Sequence, residues 1–258
     1  MTLLSLVALG AIALVHLGTH RMRWLSGTPR SRALSFASGV SVAYVFLHLL
    51  PEIAHGQHLL DELEESRSPV PGLGIYLLAL LGLLVFYALD RVFEVLRARG
   101  SPSCKDPGAD SAAGERHTLF WIHLAIFAVY SFIVGCLIAH LPEGPAFEMT
   151  GEVTALAVFT LAIGMHMVVV DFALCKDFPQ GWRRLGRFIM VGALLAGWTI
   201  GHFAYLEGPL LYALVALLAG GILLNTFKEE LPEDRESRTG WLLIGAAGYT
   251  VLLSVLQL

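Results

Sequence analysis

Eight stretches of this chain are long and apolar enough to cross a bilayer, and they constrain the fold more than anything else in the sequence. They run Leu3–His20, Leu34–Glu52, Val70–Leu89, Thr118–Leu141, Val153–Asp171, Phe188–Leu206, Pro209–Phe227 and Trp241–Leu258. A hydrocarbon core about 30 Å thick takes roughly 20 apolar residues as a helix. No water there can satisfy a bare backbone, so only helices and closed barrels span it, and none of the eight alternates like a barrel strand. Charged residues make up 15% of the chain, against about a quarter in soluble domains. A soluble enzyme or nucleic-acid-binding domain is excluded, and an all-α membrane protein of eight transmembrane helices is expected. Arg21 and Arg23 follow the first run rather than precede it, so it reads as a span and not as a cleaved signal.

Orientation follows from the basic residues. Sixteen of the seventeen Lys and Arg fall in the 1–2, 3–4, 5–6 and 7–8 connections, and only Arg67 falls elsewhere. The positive-inside rule makes those connections cytoplasmic and both termini extracytoplasmic, in the plasma (inner) membrane. The opposite connections are acidic and histidine-bearing. His55, His58, Asp61, Glu62, Glu64 and Glu65 in the 2–3 loop read as a solvated surface or as a mouth that collects cations. The three cysteines have no paired spacing, which argues against a disulfide framework or a thiolate metal site.

Two segments repeat. ASGVSVAYVFLHLLPE (37–52) aligns without gaps on LAGGILLNTFKEELPE (218–233) at an offset of 181, matching Gly39 with Gly220 and Pro51-Glu52 with Pro232-Glu233. Spans 2 and 7 run in opposite directions, so the copies form an inverted repeat, a pointer to secondary transporters. The division expected is one transmembrane domain: a three-helix repeat (1–97), a flexible cytoplasmic linker (98–116), central helices 4 and 5 (117–178) and an inverted three-helix repeat (183–258). His48 and Glu52 are one turn apart on a helix face with Tyr44 and Ser41. Pro51 has no N–H for the Leu47 carbonyl, and a kinked polar stripe ending there suits the mouth of an ion path.

These residues resemble the ZIP (Zrt/Irt-like) metal transporters. The resemblance rests on Gly39…His48-Leu-Leu-Pro-Glu52 in span 2, on Gly220…Glu229-Glu-Leu-Pro-Glu233 in span 7, and on the topology. It implies a 3+2+3 inverted bundle that carries a divalent metal, Zn²⁺ or a similar ion, without ATP, required cofactor or enzymatic activity. The central motifs depart from the family pattern. In span 4, YSFIVG (130–135) places Tyr130, Ser131 and Val134 where the family has His, Asn and Glu. In span 5, HMVVVD (166–171) keeps His166 but has Met167 and Val170 at ligand places, with Asp171 one residue late. A reduced, non-binuclear site is expected.

An ionisable group deep in a span costs roughly 2.5–3.5 kcal/mol on insertion scales and marks a candidate site. The candidate metal-contacting residues are His48 and Glu52, which pass the ion inward, His166, Asp171, Ser131 and His123 in the central spans, and His202 near the outer end of span 6. Glu229, Glu230 and Glu233 would release it. Imidazole with carboxylate suits Zn²⁺. The alternative is a protein of this fold that has lost metal transport and carries another solute or regulates. A metallohydrolase wants a close pair such as His-x-x-x-His, a spacing that spans 2 to 8 lack and that only His16 and His20, at the end of the first span, show. GWTIG (197–201) fits Gly-x-x-x-Gly, an internal packing face or a homodimer contact.

Overall fold

Uninterrupted apolar runs with few charges leave helix as the only way to pair every backbone group, and the computed structural model of the chain is built accordingly. It describes residues 2–25, 31–63, 72–99, 109–140, 151–204, 208–230 and 238–256. The helices are α1 (Thr2–Gly18), α2 (Arg32–Tyr44), α3 (Leu50–Leu63), α4 (Gly74–Arg99), α5 (Ala109–Ala139), α6 (Glu152–Asp177), α7 (Arg187–Phe203), α8 (Gly208–Glu230) and α9 (Thr239–Leu256). A wide π turn, Val45–Leu49, joins α2 to α3 as one span, and a second, Trp182–Gly186, leads into α7. Among the described residues, eight helices are long and apolar enough to cross a membrane. The chain is thus an all-helical, multi-pass membrane protein suited to a lipid bilayer.

Two expectations need correcting. The second span does not close at Glu52: helix continues to Leu63, so Glu52 lies about three turns inside it. The wide turn explains how. Leu50 N–H bonds to the Val45 carbonyl, a five-residue step placed just before Pro51, where a regular turn would drive the ring into a carbonyl. The 98–116 segment is also shorter as a non-helical linker than expected. Helix α4 runs to Arg99 and α5 begins at Ala109, while 100–108 lie outside the described residues.

The helices sort into inner and outer ones. Spans 2, 4, 5 and 7 have more than half of their apolar window buried; spans 1, 3, 6 and 8 have a third or less. Outer helices cross inner ones at glycine pairs. A Cβ on Gly39 (α2) would overlap the Leu242 carbonyl, and one on Gly245 (α9) would overlap the Phe36 carbonyl. A Cβ on Gly220 (α8) would likewise overlap the Ala79 carbonyl, and one on Gly82 (α4) the Leu217 carbonyl. The four residues of one crossing map onto those of the other: 36 with 217 and 39 with 220 at offset 181, and 79 with 242 and 82 with 245 at offset 163. A third pair, Gly135 with Gly197, closes α5 onto α7. Gly197 and Gly201 of GWTIG both face α5 inside the chain, so this motif is an internal packing face. Burying backbone against backbone is how membrane helices associate when apolar surface alone gives no preference.

Candidate ion path

The inner helices carry polar side chains toward one another. On the span formed by α2 and α3, His48 and Glu52 are both wholly buried. Tyr249 of α9 places its hydroxyl 3.3 Å from His48 Nδ1. Tyr44, one turn before His48, stacks on the His48 ring with centroids 5.3 Å apart. The Tyr44 hydroxyl lies within electrostatic reach of Glu52, Tyr249 and Tyr130. Tyr130 (α5) in turn meets the His166 ring (α6) at 5.8 Å. Glu52, Tyr44, Tyr130 and His166 are all buried among the inner helices and make up a candidate lane.

His166 is the unusual member. It is 1% exposed, and neither ring nitrogen has a hydrogen-bond partner. A buried polar atom without a partner costs about 1–3 kcal/mol, which makes His166 a candidate binding residue. Tyr130, Val134, Met167 and Val170 are all buried, with the Tyr130 ring against His166. Among the described residues no group of three or more His, Cys, Asp or Glu is placed to hold a metal ion.

The other candidates are distributed differently from expectation. His123 is buried, but its Nδ1 lies 3.0 Å from the Leu119 carbonyl of its own helix, and its ring packs on Phe93 and Phe178. It is a packing histidine. His202 is exposed and stacks on Trp198 at 5.2 Å, so it does not enter the bundle. Glu229 and Glu230 end α8, with side chains outside the described set, and Glu233 lies outside the described residues. The acidic stretch after Glu52 is helical rather than a loop. Within it Asp61 accepts from the Gln57 amide and the Gly72 N–H, while His58 pairs with Glu62 on the surface. Glu64 and Glu65 are outside the described residues.

Asp171 and Ser131 are committed elsewhere. Asp171 Oδ2 lies 2.8 Å from His16 Nδ1, and His16 Nε2 lies 3.2 Å from Ser131 Oγ. His16 was missed by sequence reasoning. The signal was available, since an imidazole inside VALGAIALVHLG is an ionisable group in an apolar run. His16 takes both neighbours, which leaves His48, Glu52 and His166 as the ionisable members of the candidate lane. At the basic end of the bundle Lys228 (α8) pairs with Asp90 (α4), and Arg187 reaches His20 at 3.1 Å. No protein-family model and no curated protein sequence matches the chain.

Proposed function

We propose that this protein is a ZIP-like carrier that moves a divalent metal ion, Zn²⁺ or one of similar chemistry, toward the cytoplasm through a reduced site centred on His166. Both termini are extracytoplasmic in this reading, and spans 1–3 and 6–8 are inverted copies. Three features support it. The two glycine crossings correspond residue for residue at fixed offsets. Spans 1 to 3 match 6 to 8 in being outer, inner, outer, with 4 and 5 both inner. Polar groups line the interior between the copies. The single observation that carries the reading is the wholly buried His166 with two unpartnered nitrogens. A neutral imidazole is a good ligand for a borderline divalent ion, and a single imidazole with distant oxygens holds it weakly enough to let it leave. His48 and Glu52 deliver the ion from the outer side, and the acidic end of α8 receives it.

The test is metal uptake into proteoliposomes or chelator-treated cells. His166→Ala abolishes uptake, whereas His123→Phe, which replaces a packing imidazole, leaves it intact. Unchanged uptake in the His166 variant would refute the central role.

One observation favours a second reading. With no three-donor group among the described residues and apolar side chains at the centre, the same fold could carry a different solute or act as a regulator. Elemental analysis of purified protein separates the two: bound zinc or manganese supports the carrier of metal, and its absence at saturating metal supports the alternative.

A further inference from the structure

A hydrogen-bonded chain outside the lane ties α1, α5, α6 and α7 together. Asp171 Oδ2 meets His16 Nδ1 at 2.8 Å, His16 Nε2 meets Ser131 Oγ at 3.2 Å, and the Ser131 hydroxyl donates to the Met190 carbonyl at 3.1 Å. All three side chains are wholly buried. Counting hydrogens ties the protonation of the chain to the direction of the serine hydroxyl. A serine hydroxyl has one hydrogen. When that hydrogen is given to Met190, the contact between Oγ and Nε2 is a hydrogen bond only if Nε2 bears hydrogen. The 2.8 Å contact needs another proton, on Nδ1 or on the carboxyl. In that arrangement the pair holds two protons, either as imidazolium beside carboxylate or as Nε2–H imidazole beside a carboxylic acid, and both forms are neutral overall. With one proton fewer, Ser131 must turn its hydrogen to Nε2 and release Met190. A net negative charge would then remain in the bundle, where burial of an unpaired charge is costly.

We propose that His16 and Asp171, with Ser131 as the switching donor, form a buried proton-binding site that is loaded in this conformation. The site releases and takes up one proton, breaking or forming a single N–H or O–H bond with no electron transfer, and water or a buffer base is the other partner. Asp171 Oδ1 has no hydrogen-bond partner, so the carboxyl keeps room for a proton or a water. The Thr19 hydroxyl lies beside Asp171, on the side of the basic end where His20 meets Arg187. Of the other ionisable groups on the packed elements, Cys175 on α6 lies within electrostatic reach of Asp171; α5 also carries His123, Tyr130 and Cys136, α6 His166, Lys176 and Asp177, α7 Arg187 and His202, and α2 Tyr44. Among the described residues only His16 forms an ion pair with Asp171. Proton relays of Asp and His inside a bundle are a recurrent device of carriers, and here the hydrogen count, rather than the cargo, identifies one.

The test uses full-length protein with ¹⁵N-labelled histidine in lipid bilayers, no metal added, and His16→Gln to assign the resonance. At neutral pH His16 is expected to carry hydrogen on Nε2. On alkaline titration it should convert to the Nδ1–H form, and this conversion should be lost in Asp171→Asn. An Nε2 that is bare at neutral pH, accepting from Ser131, overturns the proposal, as does a His16 spectrum unchanged across the whole titration. Ser131→Ala is the milder variant: it should keep the fold and lose the coupling of Nε2 to the hydroxyl. Because no metal enters the measurement, its failure is distinguishable from failure of the carrier reading.

Discussion

His166 and His123 are both buried imidazoles on inner helices, and their surroundings give them opposite roles. His123 has the Leu119 carbonyl for a partner and aromatic rings on both sides; His166 has neither nitrogen satisfied. Hence the opposed expectations for His123→Phe and His166→Ala in uptake. The His16–Asp171 pair gives a stability prediction of its own. His16→Leu leaves a buried carboxyl without its partner and should cost roughly 3–5 kcal/mol, read by thermal or denaturant unfolding in detergent. Removing both partners in His16→Leu/Asp171→Leu should recover most of that loss, and a double variant as weak as the single one would contradict the pairing. At this scale the sequence marked which residues were costly to bury, but not what each would meet. His16 and Asp171 are 155 positions apart, and no local pattern brings them together. His202 looked equivalent to His166 because apolar runs with no polar face leave helix rotation undetermined. Trp198, one turn before it, stacks on its ring at the exposed surface of the bundle.

At the scale of helices, the existence of the eight spans was legible and their ends were not. Hydropathy reports the thickness of a bilayer, and a helix that continues into the polar region, as α3 does beyond Glu52, leaves no apolar trace. Pro51 read as a terminator because a proline removes one donor and clashes with a carbonyl; the π turn before it absorbs both problems. Glycines, by contrast, carried real positional information. Gly39 and Gly220 were aligned by sequence, and each sits where a Cβ would overlap the backbone of an outer helix. Gly39→Ala and Gly220→Ala should each destabilise by roughly 1–3 kcal/mol through overpacking. Gly10→Ala and Gly248→Ala, which meet open space, should be neutral in the same unfolding assay. Similar costs at both crossings are the expected mark of equivalent positions; a tolerated Gly220→Ala beside a damaging Gly39→Ala would argue against them.

For the whole molecule, the two halves agree in their outer and inner order and in their glycine crossings, yet they differ in one place. The α5–α7 contact is closed by Gly135 and Gly197. The contact between α1 and α6 instead leaves an apolar groove of about 570 Å³ lined by Ala8, Ala11, Ala157, Thr160 and Gly164. This difference between the two contacts was not legible from the sequence, since both are built from small residues. Orientation can be tested directly. His58 on α3 and Arg91 on α4 are exposed toward opposite ends of the bundle. A cysteine replacing His58 should react with an impermeant maleimide added outside intact cells, and one replacing Arg91 only after permeabilisation. The reverse pattern would place the basic connections outside and contradict inward delivery from the His48 side. The measurement that bears most directly on the central claim is anomalous scattering at the zinc edge from crystals of zinc-loaded protein. The account predicts a peak about 2.0–2.1 Å from a ring nitrogen of His166, absent in His166→Ala. A zinc-loaded crystal with no anomalous density inside the bundle, or with density only at the surface near His58 and Glu62, would contradict it.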